Sequence, residues 1–166
     1  MRRTLIAAIT TILAAALISG FGSLGAGAST RSARTEHFQV MSTAATSNKQ
    51  SLIATGEFTA GGTDIVGRTT DKAVFPGGTF TIKHHSNVFT ANVNSHTCLF
   101  TETQRGTYRL GHGTGRYAGI SGSGRWVVHI LGVFARDSKG RCTHLSAPRT
   151  FQAVFTAAGP IRRRPS

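Results

Sequence analysis

The stretch GTYRLGHGTGRYAGISGSGRW, residues 106–126, places seven glycines among basic and aromatic residues. Its segment Gly113 to Ala118 matches the glycine-rich fingerprint of dinucleotide-binding proteins, and Asp137 follows at about the distance of a ribose-binding acid. That fingerprint requires a helix that begins inside the glycine motif and runs beneath the pyrophosphate. Further glycines stand at positions 119, 122 and 124, and each costs a helix about 1 kcal/mol relative to alanine. The sequence therefore argues against a nucleotide-dependent oxidoreductase.

Outward from this stretch, the chain after Ser29 consists of short apolar and β-branched runs separated by Gly, Asn, Asp and Ser, with no sustained helical periodicity. This pattern predicts an all-β fold. The glycines of residues 106–126 then serve bends, bulges and close strand approach. The expected strands are EHFQVMST, SLIATGEFTA, DKAVF, GTFTIKHH, VFTANV, TCLFTET, GTYRL, RWVVHILGVFAR and RTFQAVFTA.

Alternation within these segments predicts which residues face inward. In TFTIKHH, Phe80, Ile82 and His84 share one face, whereas Thr81, Lys83 and His85 share the other. The segment from Trp126 to Ala135 is apolar on both faces. We expect one face of that strand to line the interior and the other to meet a covering segment or another subunit.

The N-terminus indicates export. Arg2 and Arg3 precede the apolar run LIAAITTILAAALI, which is short for a membrane span, and Ala26-Gly27-Ala28 fits a signal-peptidase site. We therefore predict a signal peptide at residues 1–28 and a secreted chain, with general secretion or the twin-arginine route as alternatives. A flexible segment at 29–36, a barrel domain at 37–158 and a basic tail at 159–166 would follow. No second hydrophobic segment predicts a membrane span in the mature chain.

Two cysteines, Cys98 and Cys142, belong to the exported part of the chain. Thiols are normally oxidised outside the cell, so a single disulfide between them is expected. Two free thiols are the alternative. Neither cysteine has the closely spaced cysteine or histidine partners of a metal site, and the adjacent pair His84 and His85 faces opposite sides of a strand. We therefore expect no metal and no cofactor.

The run Gly113-Thr114-Gly115-Arg116-Tyr117, with Gly122 and Gly124 beyond it, resembles the Gly-Thr-Gly-x-aromatic segment of the dirigent proteins and of the allene-oxide-cyclase-like barrels. The segment GEFTAGGTDIVGRTTDKAVFPGGTFTIKHH, residues 56–85, is similar to secreted bacterial members of the latter family. The resemblance implies an eight-stranded antiparallel barrel, often trimeric in plant relatives, with a pocket for a small apolar molecule. It also implies a cyclase or isomerase activity.

Six residues are candidates for chemistry or binding. Glu57 and Glu102 fall inside expected strands, where an inward carboxylate acts as an acid or base and an outward one is merely solvated. His84 and His129 are candidates for lining the cavity, with a core histidine as the alternative reading. Tyr117 is a further catalytic candidate and Tyr108 a further ligand-binding candidate. The aspartates Asp64, Asp71 and Asp137 lie in or beside turns, where aspartate has a structural use.

Three functions are compatible with these residues. The first is binding of a small apolar or aromatic ligand inside the barrel. The second is a cyclase or isomerase, with Glu57, Glu102, His84 or Tyr117 supplying a proton or a polar anchor. The third is binding of anionic envelope polymers or nucleic acid. The formal net charge of +13 favours anionic partners, although it also serves solubility. The residues for this third function are Arg105, Arg109, Arg116, Arg125 and the tail.

Overall fold

The computed structural model describes residues 33–143 and 147–163. The predicted signal peptide, residues 1–28, lies outside the described residues. The described part is a closed barrel of eight antiparallel strands in chain order, in which β8 pairs with β1, so the all-β barrel prediction is confirmed. The strands are β1 (Arg34–Ser42), β2 (Lys49–Thr55), β3 (Ala60–Ile65), β4 (Thr70–Phe75), β5 (Gly78–Val93), β6 (Leu99–Gly111), β7 (Ser121–Val133) and β8 (Thr150–Arg162).

Several predicted boundaries differ from the structure. Two pairs of expected strands each form one long strand, β5 and β6, and the expected strand at 51–60 ends at Thr55, where a connection leads into β3. The register of β5 against β6 shifts between Ser86 and Val88. A bulge there lets a strand bend without ending. Polar residues in mid-strand therefore mark a bulge rather than a loop.

The barrel extends into both of the predicted terminal segments. Strand β1 begins at Arg34, inside the predicted flexible segment 29–36. Strand β8 runs through Gly159 and Pro160 to Arg162, so residues 159–162 of the predicted tail belong to the barrel. Ile161 is buried and pairs with β1 and β7. A proline fits here because the ladder between β7 and β8 has a gap opposite it, where no amide donor is needed.

The stretch 106–126 forms the end of β6, a connection and the start of β7. The connection contains a single 3-10 turn, Gly115–Tyr117, in place of the helix that a dinucleotide site needs. Gly115 has a φ of +55°, and a Cβ there would lie 2.1 Å from the carbonyl oxygen of Gly77. The expectation that this glycine serves the backbone is therefore confirmed. Strand β7 starts at Ser121, earlier than predicted, so its first glycines are strand residues.

The predicted disulfide is present between Cys98 and Cys142. It joins the turn between β5 and β6 to the connection between β7 and β8. Asn94 organises that turn, because its side-chain Oδ1 accepts hydrogen bonds from the backbone amides of His96 and Thr97. In the described ranges, no helix has the length and apolar character needed to cross a bilayer.

Candidate functional site

One end of the barrel interior is filled by aromatic rings, and we call it the aromatic end. It consists of Phe58, Phe75, Phe80 and Tyr117, whose ring centroids lie 5.1 to 6.4 Å apart. The connection between β6 and β7 inserts Tyr117 among these rings, and burial raises the pKa of its hydroxyl. Tyr117, a predicted catalytic candidate, is therefore a packing residue at the aromatic end.

Glu36 ties the connection between β2 and β3 to this end. Its carboxylate Oε2 accepts hydrogen bonds from the backbone amides of Glu57 (2.7 Å) and Phe58 (3.2 Å). Burial raises the pKa of Glu36, and the two amide donors partly oppose that rise. Glu57 itself lies in the connection and not in a strand, with its carboxylate Oε2 3.9 Å from the Nε of Arg34. The prediction that Glu57 lies within a strand is therefore wrong.

The opposite end of the interior holds a cavity of about 210 Å³, and we call it the cavity end. Its walls are mainly apolar, as expected for a ligand site. Its apolar lining includes Phe38, Val40, Val66, Ile82, Trp126, Val128, Ile130, Phe151, Ala153, Phe155 and Ala157. Its polar lining consists of Gln50, Asp64, Asp71, His84, Gln104 and Tyr108.

Asp71 and His84 form a hydrogen-bonded pair in the wall of this cavity. The Asp71 Oδ1 accepts a hydrogen bond from the backbone amide of Gly67 (2.8 Å) and lies 3.2 Å from the His84 Nε2. The hydrogen bond to Asp71 raises the pKa of the His84 imidazole, although burial opposes that rise. The ring of His84 also stands edge-on to Trp126, at 6.2 Å between centroids. His84 thus lines the cavity, as the sequence predicts.

Asp64 lies beside this pair on β3 and is only 4% exposed. Its Oδ1 is buried and has no hydrogen-bond partner among the described residues. Burial, together with repulsion from Asp71, raises the pKa of Asp64 to about 7, while attraction to His84 opposes the rise. At neutral pH the cavity therefore has one carboxyl group near its titration midpoint, next to the hydrogen-bonded Asp71–His84 pair.

Tyr108 also lines the cavity, as the sequence predicts. Its side chain is buried, and burial, reinforced by the charge of Glu36, raises the pKa of the hydroxyl to about 12. Glu102 lies on the inward face of β6, half-buried, and its carboxylate accepts a hydrogen bond from Gln104. Glu102 is not among the residues that line the cavity, whereas Gln104 is.

His129 is on the outer surface. It is exposed and hydrogen-bonded to the Thr103 hydroxyl at 3.2 Å, because Trp126, Val128 and Ile130 take the inward positions of β7. The expectation that His129 lines the cavity is therefore wrong. The predicted second apolar face of β7 does lie outside, where Leu131 is exposed.

Sequence reasoning missed Asp64 and Asp71 as interior residues. A signal was available for Asp71, because alternation in DKAVF places it on the same face as Ala73 and Phe75, both of which are buried. Asp71 also has the turn role predicted for it, since it accepts the amide of Gly67. Asp64 follows Gly61 and Gly62, and this composition is typical of a turn. Only the pairing of β3 with β2 and β4 identifies it as a strand residue.

Charge is segregated across the barrel wall. All six acidic residues are in the described part, and none lies on the outward face of a strand. Four face inward from strands, Glu36, Asp64, Asp71 and Glu102, whereas Glu57 and Asp137 lie in connections. The outward, exposed cations on the strands are Lys49, Lys72, Lys83, Arg105, Arg109, Arg125 and Arg162.

A groove of about 900 Å³ crosses this outer wall and is open to solvent. Its lining includes His37, Arg105 and Arg125, together with the apolar side chains of Ile53 and Val88. The groove is larger than the interior cavity, but no carboxylate is among its lining residues, whereas Asp64 and Asp71 line the cavity.

No protein-family model, no curated protein and no solved structure matches this chain.

Proposed function

We propose that the protein is a secreted barrel that binds a small apolar or aromatic molecule in its interior cavity. The observation that carries the proposal is the apolar cavity of about 210 Å³ at one end of a closed barrel. Cavities of about 150 Å³ lined by aliphatic and aromatic side chains bind benzene, so this one has room for a molecule of one ring with substituents. The disulfide and the predicted signal peptide are compatible with export.

The experiment uses two leucine substitutions on β8. Ala153 is buried and lines the cavity, so Ala153→Leu should occupy part of its volume. Ala158 is on the outer wall of the same strand, so Ala158→Leu adds the same side chain outside the barrel. Native mass spectrometry and solvent extraction of the secreted protein, followed by calorimetric titration with cumene, give the readout. We expect bound ligand in the parent and in Ala158→Leu, and at least a tenfold weaker affinity in Ala153→Leu. Absence of any bound molecule in all three proteins would overturn the proposal.

A cyclase or isomerase is a second candidate, and the polar cluster of the cavity favours it. An isomerisation needs a group that gives a proton and a group that accepts one at the same wall. Asp64, with a pKa of about 7, and the Asp71–His84 pair supply both within the cavity. Such an activity fits what the resemblance to allene-oxide-cyclase-like barrels implies, and we propose the chain as a distant member of that group. We expect the parent protein to incorporate solvent deuterium into a cyclic ketone, and we expect Asp64→Asn to lose this exchange.

The cationic outer wall favours binding of anionic polymers as a third candidate. A wall with cations and no carboxylate attracts polyanions, and that attraction weakens steeply with salt. The double variant Arg105→Gln/Arg125→Gln changes the groove, whereas Lys49→Gln/Lys72→Gln removes equal charge elsewhere on the wall. Titration with polyphosphate should show a larger loss for the groove variant. Equal losses would indicate attraction by net charge alone.

A further inference from the structure

Two polar side chains of the cavity wall, Asp64 and Tyr108, each have a buried atom without a hydrogen-bond partner in the described ranges. These atoms are the Oδ1 of Asp64 and the hydroxyl of Tyr108. The pKa of Tyr108 is raised to about 12, so its hydroxyl is a donor throughout the neutral range, whereas Asp64, with a pKa of about 7, is the group whose donor depends on pH. By contrast, the neighbouring Asp71 is satisfied by the Gly67 amide and by His84. A buried polar group without a partner costs about 1–3 kcal/mol. Asp64 is therefore positioned to gain from a ligand that supplies the missing partner.

The protonation state of Asp64 decides which partner that is. Below a pKa of about 7 the carboxyl group is neutral and presents an O–H donor, which a buried carboxylate lacks. A neutral carboxylic acid in an apolar site donates its hydrogen bond to a ligand oxygen. The complementary ligand therefore carries an acceptor oxygen, such as a carbonyl.

The remaining lining excludes charged ligands. Among the described residues that line the cavity, the only side chain able to carry positive charge is His84, and Asp71 already neutralises it. A ligand carboxylate would find no free cation and would be repelled by Asp71. The groups that face Asp64 from the adjoining strands are Asp71 on β4, His84 on β5 and Gln50 on β2, and Gln50 does not titrate.

We propose that the cavity selects uncharged carbonyl compounds with an apolar body, held by a hydrogen bond from the protonated carboxyl group of Asp64. This inference rests on the proposed ligand-binding function and names its ligand class. It also assigns a pH response. The hydrogen bond requires the protonated form, so the affinity is highest below pH 7 and falls over the next one to two pH units by about the five- to tenfold that the bond contributes. When His84 loses its proton, it no longer attracts the carboxylate of Asp64. The pKa of Asp64 then rises, and the fall in affinity moves to slightly higher pH.

Three probes of similar size test the proposal: acetophenone has a carbonyl, cumene replaces it by an apolar branch, and benzoate carries a charge. Affinities are measured by calorimetry at pH 6 and pH 9. Trp126, the only tryptophan of the chain, is among the residues that line both the cavity and the outer groove. A change in its fluorescence that is lost in Ala153→Leu and retained in Ala158→Leu shows that binding occurs inside the barrel. At pH 6 we expect acetophenone to bind about five- to tenfold more tightly than cumene. We expect benzoate to bind most weakly, and the advantage of acetophenone over cumene to be smaller at pH 9 than at pH 6. An advantage that stays the same at both pH values would assign the hydrogen bond to Tyr108 and not to Asp64.

Two variants of Asp64 complete the test. Asp64→Asn keeps a donor at every pH, so acetophenone binding should persist and lose its pH dependence. Asp64→Leu removes the titrating donor, so the preference for acetophenone should shrink and lose its pH dependence. Asp64→Leu/Tyr108→Phe removes both unpaired groups, so this double variant should bind cumene at least as well as acetophenone. Equal binding of acetophenone and cumene by the parent at pH 6, or preferred binding of benzoate, would overturn this inference while leaving the ligand-binding function intact. Failure of all three probes to bind would count against both.

Discussion

The aromatic end and the cavity end of the barrel are made from the same strands but differ in what the inward positions contain. At the aromatic end, Phe75, Phe80 and Tyr117 are buried, with ring centroids 5.5 to 5.6 Å apart. At the cavity end, inward positions of β3, β4 and β5 hold Asp64, Asp71 and His84 instead. Well-packed rings stabilise a fold, whereas buried titratable groups usually cost stability. The difference indicates that stability is concentrated at one end and chemistry at the other.

The largest expected effect comes from removing a ring at the aromatic end. Phe80 is fully buried, so Phe80→Ala should cost about 3–5 kcal/mol of unfolding free energy. Phe155 is only partly buried, stacks on Trp126 and already borders the cavity. Phe155→Ala enlarges an existing space, so we expect a loss of about 1–2 kcal/mol. Urea denaturation of both variants makes the measurement, and equal losses would break the comparison between the two ends.

The second effect concerns the disulfide, which joins two connections at the cavity end. Cys98 and Cys142 are 44 residues apart in the chain, and their bridge restricts the unfolded state. The double variant Cys98→Ala/Cys142→Ala should lose about 2–4 kcal/mol of stability. Denaturation with and without reductant measures this loss, and reductant should leave the variant unchanged. Titration of the denatured, non-reduced parent should find no free thiol; two titratable thiols would contradict the structure.

The sequence predicted only part of each end, since it grouped Phe80 with Ile82 on one face but offered Tyr117 as a catalytic candidate and not as a packing residue. Alternation in TFTIKHH correctly placed Phe80, Ile82 and His84 inside, because one residue type dominates each face. Asp64 was not identified because its strand begins with glycines and pairs only over short ladders. Glu57 and His129 were misplaced because a strand boundary and a two-sided apolar strand are decided by long-range pairing. Local patterns cannot supply that pairing.

The third effect tests whether the cavity end costs stability. The pKa of Asp64 is about 7 in the folded protein and near 3.8 without its surroundings, so the folded protein binds this proton more tightly than the unfolded chain. Stability from this group therefore falls as pH rises from about 4 to 7 and stays low above. Asp64→Asn should raise the unfolding free energy by about 1–3 kcal/mol at pH 8 relative to the parent, and by little at pH 4.

Denaturation of the parent and of Asp64→Asn across this pH range shows whether the substitution raises or lowers the unfolding free energy. The pKa of His84 is raised, so its contribution is present below its ordinary pKa of 6.5 and is lost as pH rises through the folded value. Because His84 is retained in both proteins, the difference between the two curves isolates Asp64 to a first approximation. A variant that is less stable than the parent at pH 8 would show that Asp64 is a stabilising residue and not a costly one.

The smallest expected effect separates two histidines that look alike in the sequence. His84 and His129 both lie in strands with apolar neighbours. His84 faces the cavity and pairs with Asp71, whereas His129 is exposed and hydrogen-bonded to the Thr103 hydroxyl. Exposed substitutions usually change stability by about 0.5 kcal/mol or less, so His129→Ala should leave both the melting temperature and cumene affinity unchanged. His84→Ala should instead change the pH dependence of stability, because it removes the partner of a buried carboxylate. If His129→Ala weakened cumene binding as much as His84→Ala, the ligand site would have to lie on the outer wall, and the division of the barrel into a stable end and a chemical end would fail.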